Sequence, residues 1–121
     1  MSAAALMLAF SAQAATNEPV VPSTTLTAKA EVSTLCKAIM SGDVDMVKKL
    51  IELGEDVNEK SLGMTPAIFA ARYNKAEILK VLIANGADLK VKCNKGFSIT
   101  KYAEMSHATE AMAVIKEAMK K

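Results

Sequence analysis

In the middle of the chain the apolar residues fall at helical spacings, Phe69 and Ala70 followed by Ile78, Leu79, Leu82 and Ile83, with lysine or glutamate between them. Each helix so implied is short, and its apolar stripe is too small to stand alone. The layout then recurs. Leu35 to Ile39 with Lys48 to Val57 lines up, 32 residues later, with Ala67 to Ala71 and Lys80 to Leu89. A third copy begins at Gly96-Phe97-Ser98-Ile99, 33 residues after Gly63, and passes through Tyr102-Ala103 to Val114-Ile115. A period of this length is the signature of a stacked array, in which neighbouring units bury one another's stripes in a continuous core.

Local chemistry supports the same units. Thr65 before Pro66 is a helix start, since the hydroxyl can accept from an orphan backbone N–H and proline is tolerated at the first helical position. Gly54 and Gly86 close the second helix of a unit, where a left-handed residue is usually required. Gly42, Asn74 and His107 occupy equivalent places in the turn between paired helices, and all three types are enriched at positive φ. Ala38, Ala70 and Ala103 recur where helices approach closely, and Phe69 and Tyr102, one residue earlier, are expected in the core together with Lys37. Asp43 and Asp45 flank a helix N-terminus, where the helix dipole favours negative charge.

Gly63-Met64-Thr65-Pro66 and Gly86-Ala87-Asp88 resemble the ankyrin repeat, with the likeness extending over about Ser33 to Ile115. The family's histidine in the Thr-Pro-Leu-His motif is replaced by Cys36, Ile68 and Lys101, so its turn-linking hydrogen bonds are not expected. The resemblance implies an all-α helix-turn-helix repeat solenoid with projecting hairpins, built of about three repeats with the outer two acting as caps. Repeat boundaries fall near residues 33–59, 60–92 and 93–121, within a domain spanning 28–121.

The N-terminus carries a different signal. Ala3 to Phe10 is an apolar run too short to span a bilayer, and Ser11-Ala12-Gln13-Ala14 supplies a small-x-small cleavage pattern, although no lysine or arginine precedes the run. Residues 1–14 therefore read as a signal peptide and 15–27, with Pro19 and Pro22, as a disordered linker, which places the protein in the periplasm or outside the cell. A cytosolic chain with an uncleaved tail is the alternative.

Composition narrows the function classes. Fifteen basic against thirteen acidic residues give a net charge of +2, and Arg72 is the only arginine, so no nucleic-acid partner is implied. No later apolar stretch reaches membrane-spanning length, so no membrane association is expected after signal cleavage. Lys90, Lys92 and Lys95 cluster on the hairpin before the third repeat and read first as a solvated loop. No catalytic motif is present, and His107, the sole histidine, is expected to be a turn residue. Neither an enzyme, a metal nor a cofactor is expected. Cys36 falls in the first helix of repeat one and Cys93 in the hairpin that opens repeat three, and successive repeats of an ankyrin-like stack lie ~10 Å apart. That exceeds the ~7 Å that a disulfide spans. Two free thiols are expected, Cys36 buried and Cys93 more accessible.

What remains is binding. In ankyrin-like proteins the hairpin tips and the exposed end of each first helix form a concave face that docks on partners. On this sequence those positions are Met40 in the first repeat, Ser61, Leu62, Met64, Arg72 and Tyr73 in the second, and Asn94, Lys95, Phe97, Met105 and Ser106 in the third. Tyrosine and arginine are enriched at interface hot spots, and methionine adapts to irregular surfaces. The expectation is a monomeric interaction module of the exported compartment with a protein partner. A narrower form, an accessory to a periplasmic enzyme or to oxidant defence, is compatible with the eight methionines and two thiols.

Overall fold

The computed structural model describes residues 32–120, and the segment read as signal peptide and linker lies outside the described residues. Among the described residues six helices follow one another in antiparallel pairs: α1 (Thr34–Ser41) with α2 (Val44–Glu52), α3 (Pro66–Arg72) with α4 (Ala76–Ala84), and α5 (Ile99–Met105) with α6 (Thr109–Met119). The inner helices α1, α3 and α5 stack in that order, and the outer helices α2, α4 and α6 stack behind them. Two long loops project between the pairs, from α2 to α3 and from α4 to α5.

Each inner helix starts the same way. Thr65 accepts from the Ile68 N–H at 3.2 Å with Pro66 in the first turn, as the sequence implies. Ser33 and Ser98, at the equivalent places, accept from Cys36 and Lys101. The third repeat lacks Thr-Pro but keeps the hydroxyl that satisfies the first turn. Asp43 caps α2 through the Met46 N–H.

The turns inside the repeats share one geometry. Gly42, Asn74 and His107 have φ of 80°, 55° and 55°, and the following N–H reaches back to the carbonyl of Ala38, Ala70 and Ala103 respectively. A left-handed residue here lets the chain reverse within two residues while still satisfying the last carbonyls of the helix. The recurring alanines are those carbonyl bearers. All three are buried, because α1, α3 and α5 pack over them.

The core is continuous from Leu35 to Ile115. Phe69, Ile68, Ile78, Leu79 and Leu82 fill its middle, and Thr65 is buried with them, its hydroxyl consumed by the cap. Lys37 is a correction: it aligns with Phe69 but is exposed. Phe69 sits on a helix packed between α1 and α5, whereas among the described residues no helix precedes α1. Tyr102 is also not fully in the core; it is half-buried.

Cross-repeat hydrogen bonds tie the layers. Asn58 donates to the Gly86 carbonyl at 3.0 Å and accepts from the Asp88 N–H at 2.8 Å. Asn74 donates from Nδ2 to Glu110 at 2.6 Å and accepts from the Ala111 N–H at 3.0 Å. Ala108, at the N-cap of α6, has no side chain to cap with, so Asn74 of the preceding repeat supplies the cap.

Candidate functional site

The projecting loops end in two tight reversals. In the first finger Ser61 and Met64 exchange both backbone hydrogen bonds, at 2.8 and 3.1 Å, around Leu62 and Gly63. Both loop residues have positive φ, 54° and 81°, the geometry of a two-residue hairpin turn. In the second finger the Gly96 N–H bonds to the Cys93 carbonyl and the Cys93 N–H to Phe97, with Gly96 at φ 88°. That is a three-residue loop closed by a left-handed glycine. The fingers touch. The Asn94 N–H donates to the Gly63 carbonyl at 2.9 Å, and Lys60 Nζ donates to Asn94 Oδ1 at 3.0 Å.

Between the finger tips and the inner helices lies a groove of about 190 Å³, lined by Leu62, Gly63 and Met64 from the first finger, Cys93, Asn94 and Lys95 from the second, and Arg72 and Tyr102 from α3 and α5. It brings together Leu62, Met64, Arg72, Asn94 and Lys95 of the residues chosen from the sequence. Leu62 is exposed at the rim, and Phe97, also partly exposed, meets the Tyr102 ring edge-on with centroids 6.0 Å apart. Tyr73 lies beside the groove with the Arg72 guanidinium 5.6 Å from its ring centroid, within cation–π range.

Of the chosen residues, Met64 lies under the groove, and those that do not line it fall elsewhere. Ser61 is buried, its hydroxyl accepting from the Ser33 N–H at 2.9 Å, so it holds the finger to the first repeat. Met64 is buried beneath the groove and offers its sulfur to Arg72 at 3.9 Å. Met40 is half-buried at the end of α1, and Met105 and Ser106 are exposed at the end of α5. They share with Arg72 the same end of the inner helices but do not line the groove.

Cys93 is free and more accessible than Cys36, but at 6% exposure it too is buried. Its hairpin folds back so that Sγ accepts from the Phe97 N–H at 3.4 Å and the Tyr102 hydroxyl at 3.3 Å. Burial pushes this thiol up, but the Tyr102 hydroxyl and the N–H groups of Phe97, Lys95 and Gly96 outweigh it and hold the thiol below its ordinary value. Tyr102 is raised in return, first because its proton is engaged by Cys93 and then by burial. Cys36, free in the core, is raised by burial. Sequence reasoning missed Tyr102 and Cys93 as groove residues. The available signal was their partnership with the Gly96 turn, which depends on the hairpin closing.

His107 is an exposed turn residue. Among the described residues no three of His, Cys, Asp and Glu gather closely enough to hold a metal ion, and no helix is long and apolar enough to cross a membrane.

Paired helices stacked in two layers, with fingers projecting from one edge, define a helical repeat solenoid. The family model described as ankyrin repeats matches three copies here, over residues 6–94 and 35–118, and the chain belongs to that family. Curated relatives include the 2-5A-dependent ribonuclease of Mus musculus, 40% identical over 46% of this chain and 8% of that protein. The dauer abnormal formation protein 25 of Caenorhabditis elegans is 33% identical over 69% of this chain and 22% of its own length. Human ankyrin repeat and SOCS box protein 11 is 35% identical over 61% of this chain and 23% of that protein. The chain thus spans less than a quarter of these relatives. The crystal structure of the human ASB11 ankyrin repeat domain superposes with a TM-score of 0.67 at 24% identity, covering 71% of this chain and 39% of that one. Ankyrin repeats generally mediate protein–protein interaction, on a scaffold that is itself non-catalytic.

Proposed function

We propose that this chain is a non-enzymatic protein-binding module whose docking surface is the concave face formed by the two fingers and the ends of α3 and α5, centred on the groove between Leu62 and Lys95. The observation that carries the reading is the fixed groove itself. Its walls come from successive fingers tied by the Asn94–Gly63 and Lys60–Asn94 hydrogen bonds, so a partner meets a preorganised surface and spends little free energy ordering it. Around it stand the exposed side chains that interfaces favour: Arg72, Tyr73, Phe97 and Met105.

Substitution tests the face. Arg72→Glu and Tyr73→Ala each abolish co-purification of the partner from the native cell, while the thermal melt stays close to the parent because both side chains are exposed. Binding retained in both variants removes the proposed surface. Crosslinking through Phe97 in the cell identifies what docks there.

The compartment belongs to the same proposal. The small-x-small sequence Ser11 to Ala14 supports export, and an accessory role beside an exported enzyme is its narrower form. The family match begins at residue 6, within that segment, so N-terminal sequencing of protein from its native cell separates a cleaved leader from a retained one that serves a cytosolic scaffold.

A further inference from the structure

We propose that the groove between the fingers takes an acidic segment of the partner protein, with a carboxylate seated on Arg72 and Lys95 beside it; this rests on the reading of the concave face as the docking surface. The charge of the walls is one-sided. Arg72 and Lys95 line the groove, no aspartate or glutamate does, and Lys60 is held at its edge by Asn94. Arg72 has no carboxylate of its own among the described residues, where the ion pair present is Glu117 with Lys120. Its polar contact is the Met64 sulfur at 3.9 Å, a weak acceptor.

The guanidinium is nevertheless positioned. Tyr73 lies 5.6 Å from it and Met64 beneath it, so a fork of N–H donors is steadied at the groove without being consumed. Such a fork matches a carboxylate bidentately, which a lysine cannot do. The floor adds no competing anion site, because the Tyr102 hydroxyl is committed to the Cys93 sulfur.

Size and rim select the class of occupant. At about 190 Å³ the groove is smaller than the ~300 Å³ at which small-molecule sites begin, yet it has room for a side chain. Its rim is apolar, with Leu62 and Phe97 partly exposed, which suits a peptide in which an aspartate or glutamate is flanked by an apolar residue. A nucleic-acid strand is the poorer match, since Arg72, Lys95 and Lys60 make too short a row of phosphate contacts, while Tyr73 faces Arg72 and Phe97 meets Tyr102 edge-on, which leaves no continuous stacking platform.

The test uses the full chain as bait for phage-displayed random heptapeptides, with selected peptides then measured by fluorescence anisotropy. Enrichment of aspartate or glutamate is expected, with affinity falling as sodium chloride screens the pair. Arg72→Glu and Lys95→Glu each weaken binding at least about tenfold, Arg72→Lys less, and Lys80→Glu on the outer helix leaves it within about twofold. Two separate charge reversals keep the outcome independent of whether either one disturbs folding. Selected peptides that are neutral or basic, bind independently of salt and still respond to Tyr73→Ala overturn the acidic assignment while the docking face stands. Peptides indifferent to Arg72→Glu, Tyr73→Ala and Lys95→Glu alike overturn the face itself. An oligothymidylate probe that binds more tightly than any selected peptide, and is lost in the same variants, also overturns the proposal.

Discussion

Asn74 does two separable things, and substitution resolves them. Its backbone holds φ at 55°, and its side chain caps α6 of the next repeat through Ala111 while bonding Glu110. Asn74→Gly keeps the turn and removes the cap, a loss of about 1 kcal/mol. Asn74→Ala removes the same cap and keeps a β-carbon in the left-handed region without the local hydrogen bonding by which asparagine tolerates it, so it falls about 1–2 kcal/mol below Asn74→Gly, for a total of about 2–3 kcal/mol. In a domain of this size each kcal/mol is worth about 4–8 °C of melting temperature, so the two variants separate clearly by calorimetry. His107→Gly is the control: it has the same φ in the third repeat and an exposed side chain, so no loss is expected, and relief of the left-handed position gives a gain of up to about 1 kcal/mol. Asn74→Gly matching His107→Gly refutes the cross-repeat cap, and Asn74→Ala no worse than Asn74→Gly refutes the cost assigned to the left-handed position.

The same cap has a pH signature. Glu110 is held below its ordinary value, chiefly by the Asn74 amide and then by its own N–H and the Thr109 hydroxyl. A carboxylate lowered in the folded state contributes stability that is fully present above its unfolded value and lost as pH falls through the folded value. The penalty of Asn74→Gly is therefore full at neutral pH and shrinks in acid below the ordinary glutamate value of 4.5. Urea midpoints of both proteins at pH 7 and pH 3 measure it. A gap that stays constant across that range means that Glu110 takes no part.

Gly63→Ala costs more than Gly86→Ala. Both have positive φ, but a β-carbon at Gly63 meets Asn94 at 3.1–3.3 Å and one at Gly86 meets nothing within 4 Å, so urea unfolding gives about 1–2 kcal/mol for Gly86 and more for Gly63. Thr65→Ala costs about 1–2 kcal/mol and Ser98→Ala about half of that, because Thr65 is buried and Ser98 only partly so. Cys93 reacts with iodoacetamide at lower pH than Cys36 in unfolding-free conditions, and Tyr102→Phe moves the Cys93 profile upward; peptide-resolved mass spectrometry of the labelled protein checks both.

What the sequence made legible was whatever a local rule enforces. A left-handed turn must be Gly, Asn or an uncommon residue such as His, so Gly42, Asn74 and His107 could be placed without coordinates. Thr65-Pro66 announces its helix for the same reason. Residues whose role depends on a neighbouring repeat were not legible. Lys37 inherits the register of Phe69 but not its surroundings, and Ser61 looks like a surface serine until Ser33 comes to meet it. Cys93 is the more accessible thiol, as its hairpin position implied, yet closure on Phe97 and Tyr102 covers most of its sulfur. The groove was half visible: Leu62, Met64, Arg72, Asn94 and Lys95 were named from the sequence, whereas Cys93 and Tyr102 depend on contacts made across the hairpin.

The groove and the repeat interface share residues, which ties binding to the third repeat's local stability. Asn94 carries both finger contacts, and it belongs to the loop leading into α5, so fraying of α5 and α6 opens the groove. Apparent affinity falls in proportion to the population of the closed state. While fraying costs more than about 1.4 kcal/mol that population exceeds nine-tenths, and weakening it slightly is invisible in binding. Asn74→Ala removes more than this margin from a site remote in sequence from Asn94, Lys95 and Leu62. If the third repeat is only a few kcal/mol stable against fraying, the variant weakens binding several-fold without touching the groove, and hydrogen exchange in α6 rises in step. Weaker binding with unchanged exchange would instead place Asn74 in direct contact with the partner.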